Sequence, residues 1–118
     1  MELKLTISII SHGQYELIKP LLNDLNQFKD YIDKVIYTVN IPEKKLDDEV
    51  YDYKIQTIEN ESPLGFGANN NQAFKYCCTQ IFCIINPDIR IDNNIFAEAL
   101  KTFEDKSIAM VAPIIIDD

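Results

Sequence analysis

At 118 residues and 47% hydrophobic, the chain is long enough for one domain with its own core and too short for two. A formal net charge of -8, from 19 acidic against 11 basic residues, repels nucleic acid and anionic headgroups and argues against a polyanionic partner. A phosphate-bearing small molecule stays open, because a metal ion or a helix N-terminus reverses the field locally.

Met1-Glu2-Leu3-Lys4 runs directly into a short apolar segment with no basic leader and no small-residue cleavage site, so no signal peptide is expected. No apolar run approaches the ~20 residues that span a bilayer. Leu5 to Ser11 is β-branched and largely apolar, which predicts a central strand buried on both faces. Leu17, Ile18, Leu21, Leu22, Leu25 and Phe28 then fall on a helical stripe. Pro20 is compatible with that helix in its first turn, which predicts a start near Leu17.

Lys34 to Asn40 and Tyr53 to Ile58 read as the second and third strands, separated by an exposed acidic loop over 42–49. Ala73, Phe74, Cys77 and Cys78 form a second helical face after the turn-prone stretch from Asn60 to Gly67. Ile81 to Ile85 is a very apolar fourth strand that stops at Asn86-Pro87-Asp88. Asp92 or Asn93 is expected to cap a third helix carrying Ile95, Phe96, Ala99, Leu100 and Phe103. A last extended segment covers 108–116. Alternating helices and buried strands predict one α/β domain over 1–118, three-layered around a mostly parallel, Rossmann-like sheet. Ligands of such sheets bind outside the carboxyl ends of the strands. The polar residues at those ends are Ser11-His12-Gly13, Asn40, Asn60 and Asn86-Pro87-Asp88.

Asn86 and Asp88 place an amide and a carboxylate two residues apart across a rigid ring. Mg²⁺ or Mn²⁺ accepts one or two protein carboxylates and completes its shell with water and substrate phosphates. The same tripeptide is also an ordinary strand-ending turn. Gly65-Phe66-Gly67-Ala68-Asn69-Asn70-Asn71 opens a helix with small residues and amides, which lets a ligand approach free first-turn N–H groups. It lacks the Lys of a P-loop and the third Gly of a dinucleotide fingerprint, and is equally a capped helix start.

Taken together and in this order, the segments Thr6 to His12 with Leu17 to Leu25, Asn60 with Gly65 to Asn71, Ile84 to Asp88, and Val111-Ala112-Pro113 resemble family 2 glycosyltransferases. Asn-Pro-Asp stands where rhamnosyltransferase-like members carry a variant of the Asp-x-Asp metal motif. The resemblance implies the A-type glycosyltransferase fold and a metal-dependent, inverting sugar transfer from a dTDP- or UDP-linked donor to a glycan or lipid-linked acceptor. It implies Asp88 as the ligand of a divalent cation (Mn or Mg), and Ser11, His12, Asn40, Asn60, Gly65, Asn70, Asn71 and Asn86 as donor contacts. Asn40 occupies a position where Asp is common, and Asn69 and Ala73 positions where Gly is frequent. The acceptor site and catalytic base are expected beyond Asp118, so that this chain is the donor-binding half of a longer machinery. A noncatalytic nucleotide-binding or interaction module on the same scaffold is the alternative.

The other residues of interest have plainer roles. His12 suits acid–base work but equally packs at a strand end. Asp47-Asp48-Glu49 reads as a solvated loop, and Asp92, Asp117 and Asp118 as cap or terminal charges. Cys77, Cys78 and Cys83 are odd in number, with no Cys-x-x-Cys pair, which predicts reduced, packed thiols and a cytoplasmic setting, including the inner face of the membrane. Uncovered apolar surface would favour homo-oligomers.

Overall fold

Every residue of the first strand, β1 (Leu5–Ser11), is buried, as its largely apolar, β-branched composition predicts. The computed structural model describes residues 3–112. β1 is paired on both sides, with β2 (Ile32–Val39) and with β4 (Ile81–Ile84), while β3 (Ile55–Glu59) lies outside β2. All three pairings are parallel and the order is β3-β2-β1-β4. The chain therefore proceeds outward from β1 to β3, then crosses back to β4 on the other side. The strand order reverses between β1 and β4, the kind of switch point at which open α/β sheets place a ligand crevice.

Side chains alternate across the sheet, and the two faces differ in chemistry. Leu5, Ile7 and Ile9 pack with Ile18, Leu21, Leu22 and Leu25 of helix α1 (Tyr15–Leu25), and with Phe96 and Leu100 of helix α3 (Ile95–Thr102). Phe28, in the 3₁₀ turn after α1, meets Phe96 edge to face at 5.5 Å between ring centroids. On the opposite face Thr6 and Ser8 are also fully buried, but Ser8 Oγ donates to Asn70 Oδ1 of helix α2 (Phe66–Phe74) at 2.7 Å. Helices thus cover both faces, one contact apolar and the other amide-lined.

Several boundaries differ from expectation. α1 starts at Tyr15, so Pro20 is its sixth residue rather than part of its first turn. The backbone N–H that Pro20 lacks leaves the Glu16 carbonyl without its helical partner, at an exposed position where water can serve. Leu17, assigned to the apolar stripe, is half exposed. α2 begins at Phe66 and ends at Phe74, so Cys77 and Cys78 lie in the turn after it, and Cys78 is exposed. Asn94 caps α3 by accepting from Ala97 N at 3.1 Å, displacing Asp92 and Asn93 from that role. Residues 108–112 form no strand, and 113–116 lie outside the described residues. Among the described residues no helix is long and apolar enough to cross a membrane.

Candidate functional site

The carboxyl ends of the four strands gather Ser11, Asn40, Asn60 and Asn86 along one edge, as their places in the sequence predict. Asn40 and Asn60 are joined to each other and to α2 by side-chain hydrogen bonds, whereas Ser11 meets Asn40 only through the backbone. Asn40 N continues the sheet ladder to Ser11 O at 2.8 Å, and its buried side chain pairs with the backbone of Leu64 like a neighbouring strand. Oδ1 accepts from Leu64 N at 2.8 Å and Nδ2 donates to Leu64 O at 3.0 Å. These two backbone partners fix the amide orientation. The second hydrogen of Nδ2 therefore points to His12 Nδ1 at 2.9 Å, which makes Nδ1 an acceptor and places the proton of the neutral ring on Nε2.

Asn60 extends the network. Its Nδ2 donates to Asn40 Oδ1 at 2.8 Å and to Asn69 Oδ1 at 2.7 Å, and its Oδ1 accepts from Gln72 Nε2 at 2.9 Å. Asn69 Nδ2 reaches Leu64 O at 3.2 Å. Asn40 thus makes four bonds inside the protein and has no hydrogen left to donate to a ligand. The physical reason for Asn rather than Asp at this position follows: a carboxylate would set an oxygen against the Leu64 carbonyl. Asn70 is likewise tied down, to Ser8 and to Phe66 O at 3.1 Å, whereas Asn71 is exposed.

These bonds hold the stretch that leads into α2. Gly65 precedes the helix with no side-chain cap, so the first-turn N–H groups of α2 face outward at the carboxyl edge. A Cβ built on Gly65 or Gly67 meets nothing within 4 Å, and neither glycine has a positive φ. Neither crowding nor backbone strain requires glycine here; what the two absent side chains leave, on either side of the exposed Phe66, is access to the N–H groups. Gly13 is different, with φ of +73° and Ile41 Cδ1 only 3.1 Å from where its Cβ would stand.

Ser11 is drawn into a second cluster, centred on a residue the sequence did not single out. Ser11 Oγ donates to Glu43 Oε1 at 2.5 Å, and Tyr37 OH donates to Glu43 Oε2 at 2.8 Å. Burial raises the Tyr37 phenol well above its ordinary value, with the Glu43 carboxylate adding to the shift, so Tyr37 stays a donor. Glu43 borders a cleft of about 510 Å³ with Tyr37, Val39, Leu46, Thr57 and Glu59. A second, more open hollow of about 300 Å³ lies by Asn60, Leu64 and Gln72. Asn86 and Asp88 line neither.

Asn86 and Asp88 stand on an exposed turn after β4. Ile85 N still donates to Ser8 O at 3.1 Å, and Ile89 N closes the turn on Asn86 O at 3.3 Å. Among the described residues the Asp88 carboxylate has no hydrogen-bond or ion-pair partner, so its oxygens are free. Nor do three His, Cys, Asp or Glu side chains converge among the described residues to form a metal cage. A hard cation fits this turn as a guest with one protein carboxylate, the rest of its shell coming from water and phosphate oxygens. Cys83 is half-buried and its thiol is pushed up to about 11 by desolvation, which suits packing rather than nucleophilic work.

Compared with protein-family models and with curated proteins, the chain matches none. Sequence and geometry therefore carry the functional reading.

Proposed function

We propose that this domain binds a nucleoside-diphosphate sugar at the carboxyl edge of its sheet and serves as the donor-binding part of a family 2, A-type glycosyltransferase. The observation that carries the reading is the pairing of two openings on that edge. One is the uncapped start of α2, where Gly65 and Gly67 flank the exposed Phe66 and carry no side chains of their own. The other is the free Asp88 carboxylate beyond β4. The first suits phosphate oxygens through backbone N–H groups, and the second suits a divalent cation that neutralises the same phosphates.

Within this reading the predicted contacts divide by what the fold leaves available. Asn40, Asn60, Asn70 and Ser11 spend their polar atoms within the protein and act as scaffold for the edge. His12, Gly65, Asn71, Asn86 and Asp88 are exposed and would meet the donor. Mn²⁺ or Mg²⁺ would be held by Asp88, with Asn86 beside it, and would supply charge stabilisation to the departing nucleoside diphosphate. The protein's own part is to present the carboxylate and the N–H groups on a rigid edge.

A thermal-shift panel of uridine, thymidine and guanosine diphosphates, each with and without Mn²⁺, tests the reading. It predicts stabilisation by at least one diphosphate that grows with Mn²⁺. Amide-shift mapping of that complex should perturb residues 12–13, 65–71 and 86–88. Perturbation confined to the surfaces of α1 and α3 away from the strand ends would refute it.

A further inference from the structure

The exposed turn that carries Asp88 is fastened at both ends to the protein interior. On one side Ile85 is buried and bonded to Ser8 O of the central strand. On the other side Ile91 is buried in the core shared by α1 and α3. Its backbone N–H donates at 2.9 Å to Oδ2 of Asp24, a residue on α1 and far away in sequence. Asp24 itself is buried, with only 8% of its surface exposed, near the C-terminal end of an otherwise leucine-rich helix face. Such a position normally holds an apolar residue, and a carboxylate there needs partners.

Arg90 supplies them. Its Nε donates to Asp24 Oδ2 at 2.8 Å and its Nη2 to Asp24 Oδ1 at 2.9 Å, the two-pronged geometry that fixes direction as well as distance. The guanidinium holds the Asp24 carboxyl below its ordinary value against the opposing effect of burial, and Ile91 N–H lowers it further. Both oxygens of Asp24 are thus committed to residues two and three places after Asp88. A buried carboxylate needs several such bonds whatever its role. Three of them, all to the short segment that returns from the turn, leave its backbone little freedom to rotate.

We infer that Asp24 and Arg90 are positioning residues that lock the Asn86–Ile89 turn, so that the Asp88 carboxylate is presented to a divalent cation in one orientation. The inference rests on the proposed donor site. It assigns a part in that site to the C-terminal half of α1, on the far side of the helix from His12 in sequence. Releasing the clamp lets the turn sample other orientations, and a ligand displaced by about 1 Å loses much of its contribution to a metal site.

The test compares the affinity of the 118-residue chain for uridine and thymidine diphosphates with and without Mn²⁺, in wild type, Asp24→Asn, Arg90→Ala and Asp88→Asn. Asn at position 24 is isosteric and uncharged, so Asp24→Asn should fold even if Arg90→Ala, which leaves a buried carboxylate without its charge partner, does not. The clamp predicts that Arg90→Ala and Asp24→Asn cut the Mn²⁺-dependent gain in affinity about tenfold while metal-free binding stays at the wild-type level. A contact that only stabilises the fold would lower the melting temperature and leave that gain unchanged. A gain lost in Asp88→Asn but intact in both clamp variants overturns this inference and spares the donor-site reading. No Mn²⁺-dependent gain in wild type overturns both.

Discussion

Replacing Asn40 by Asp tests how the carboxyl edge is built, because it changes one donor into an acceptor with almost no change in shape. The Nδ2 group makes two bonds, to Leu64 O at 3.0 Å and His12 Nδ1 at 2.9 Å, and the residue is 5% exposed. Losing two neutral bonds costs about 1–3 kcal/mol, and confining an ionised carboxylate against a carbonyl adds about 1 kcal/mol more. A loss of about 2–4 kcal/mol is a large share of the ~5–15 kcal/mol that stabilises a domain. The sign of the pH dependence follows from the same contacts. Burial and the Leu64 carbonyl raise the new carboxyl above its unfolded value of about 3.9, so the penalty is complete at high pH and shrinks as pH falls. Protonation restores a donor toward Leu64 O. Urea unfolding of N40D and wild type at pH 8 and pH 5 measures this. Equal midpoints at pH 8, or a gap that widens on acidification, would refute the bonding scheme.

Other substitutions probe the rest of the edge. Gly13→Ala should cost about 1–2 kcal/mol in urea unfolding, since it forces a side chain into a positive φ and against Ile41. The advantage of wild type over Asp24→Asn should be complete above the ordinary carboxyl value of 3.8 and disappear as pH falls through the lowered value of the folded protein, as followed by acid titration of circular dichroism. The 118-residue chain alone should transfer no sugar to any acceptor, because the resemblance assigns the base and acceptor site to a region after Val111-Ala112-Pro113. Product analysis with labelled donor checks this, and efficient transfer would contradict it.

The sheet was legible because its signals are local. Five β-branched or apolar residues among the seven of Leu5–Ser11, broken only by serines, mark a strand buried on both faces, and the apolar run Ile81–Ile84 marks another strand, though a half-buried one. The start of α2 was less so. Its buried face is made of Asn69, Asn70 and Ala73, while Phe66 and Phe74 are exposed, so hydrophobic periodicity points to the wrong side and the wrong length. What makes asparagine tolerable there is Ser8 and Asn60, partners that adjacency in sequence does not reveal.

The same non-locality hid two residues that organise the site. Glu43 belongs to a stretch that composition marks as a solvated acidic loop, and only Ser11 and Tyr37, brought alongside by β1 and β2, give its carboxylate a fixed place. Asp24 carries no local signal that singles it out, and its role depends on Arg90, 66 residues later. Residues at strand ends were easy to nominate from sequence. Which of them keep free polar atoms is a property of packing, and that is why Asn40 and Asn70 are scaffold whereas Asp88 is available.

The central claim is that Asp88 anchors a cation for a bound nucleoside diphosphate. Calorimetric titration of uridine and thymidine diphosphates into wild type and Asp88→Asn, with and without Mn²⁺, tests it most directly. The account predicts Mn²⁺-dependent binding in wild type that is lost in Asp88→Asn, with the variant's melting temperature unchanged because the side chain is exposed. Binding of equal strength in both proteins, or binding in wild type that is indifferent to Mn²⁺, would contradict it.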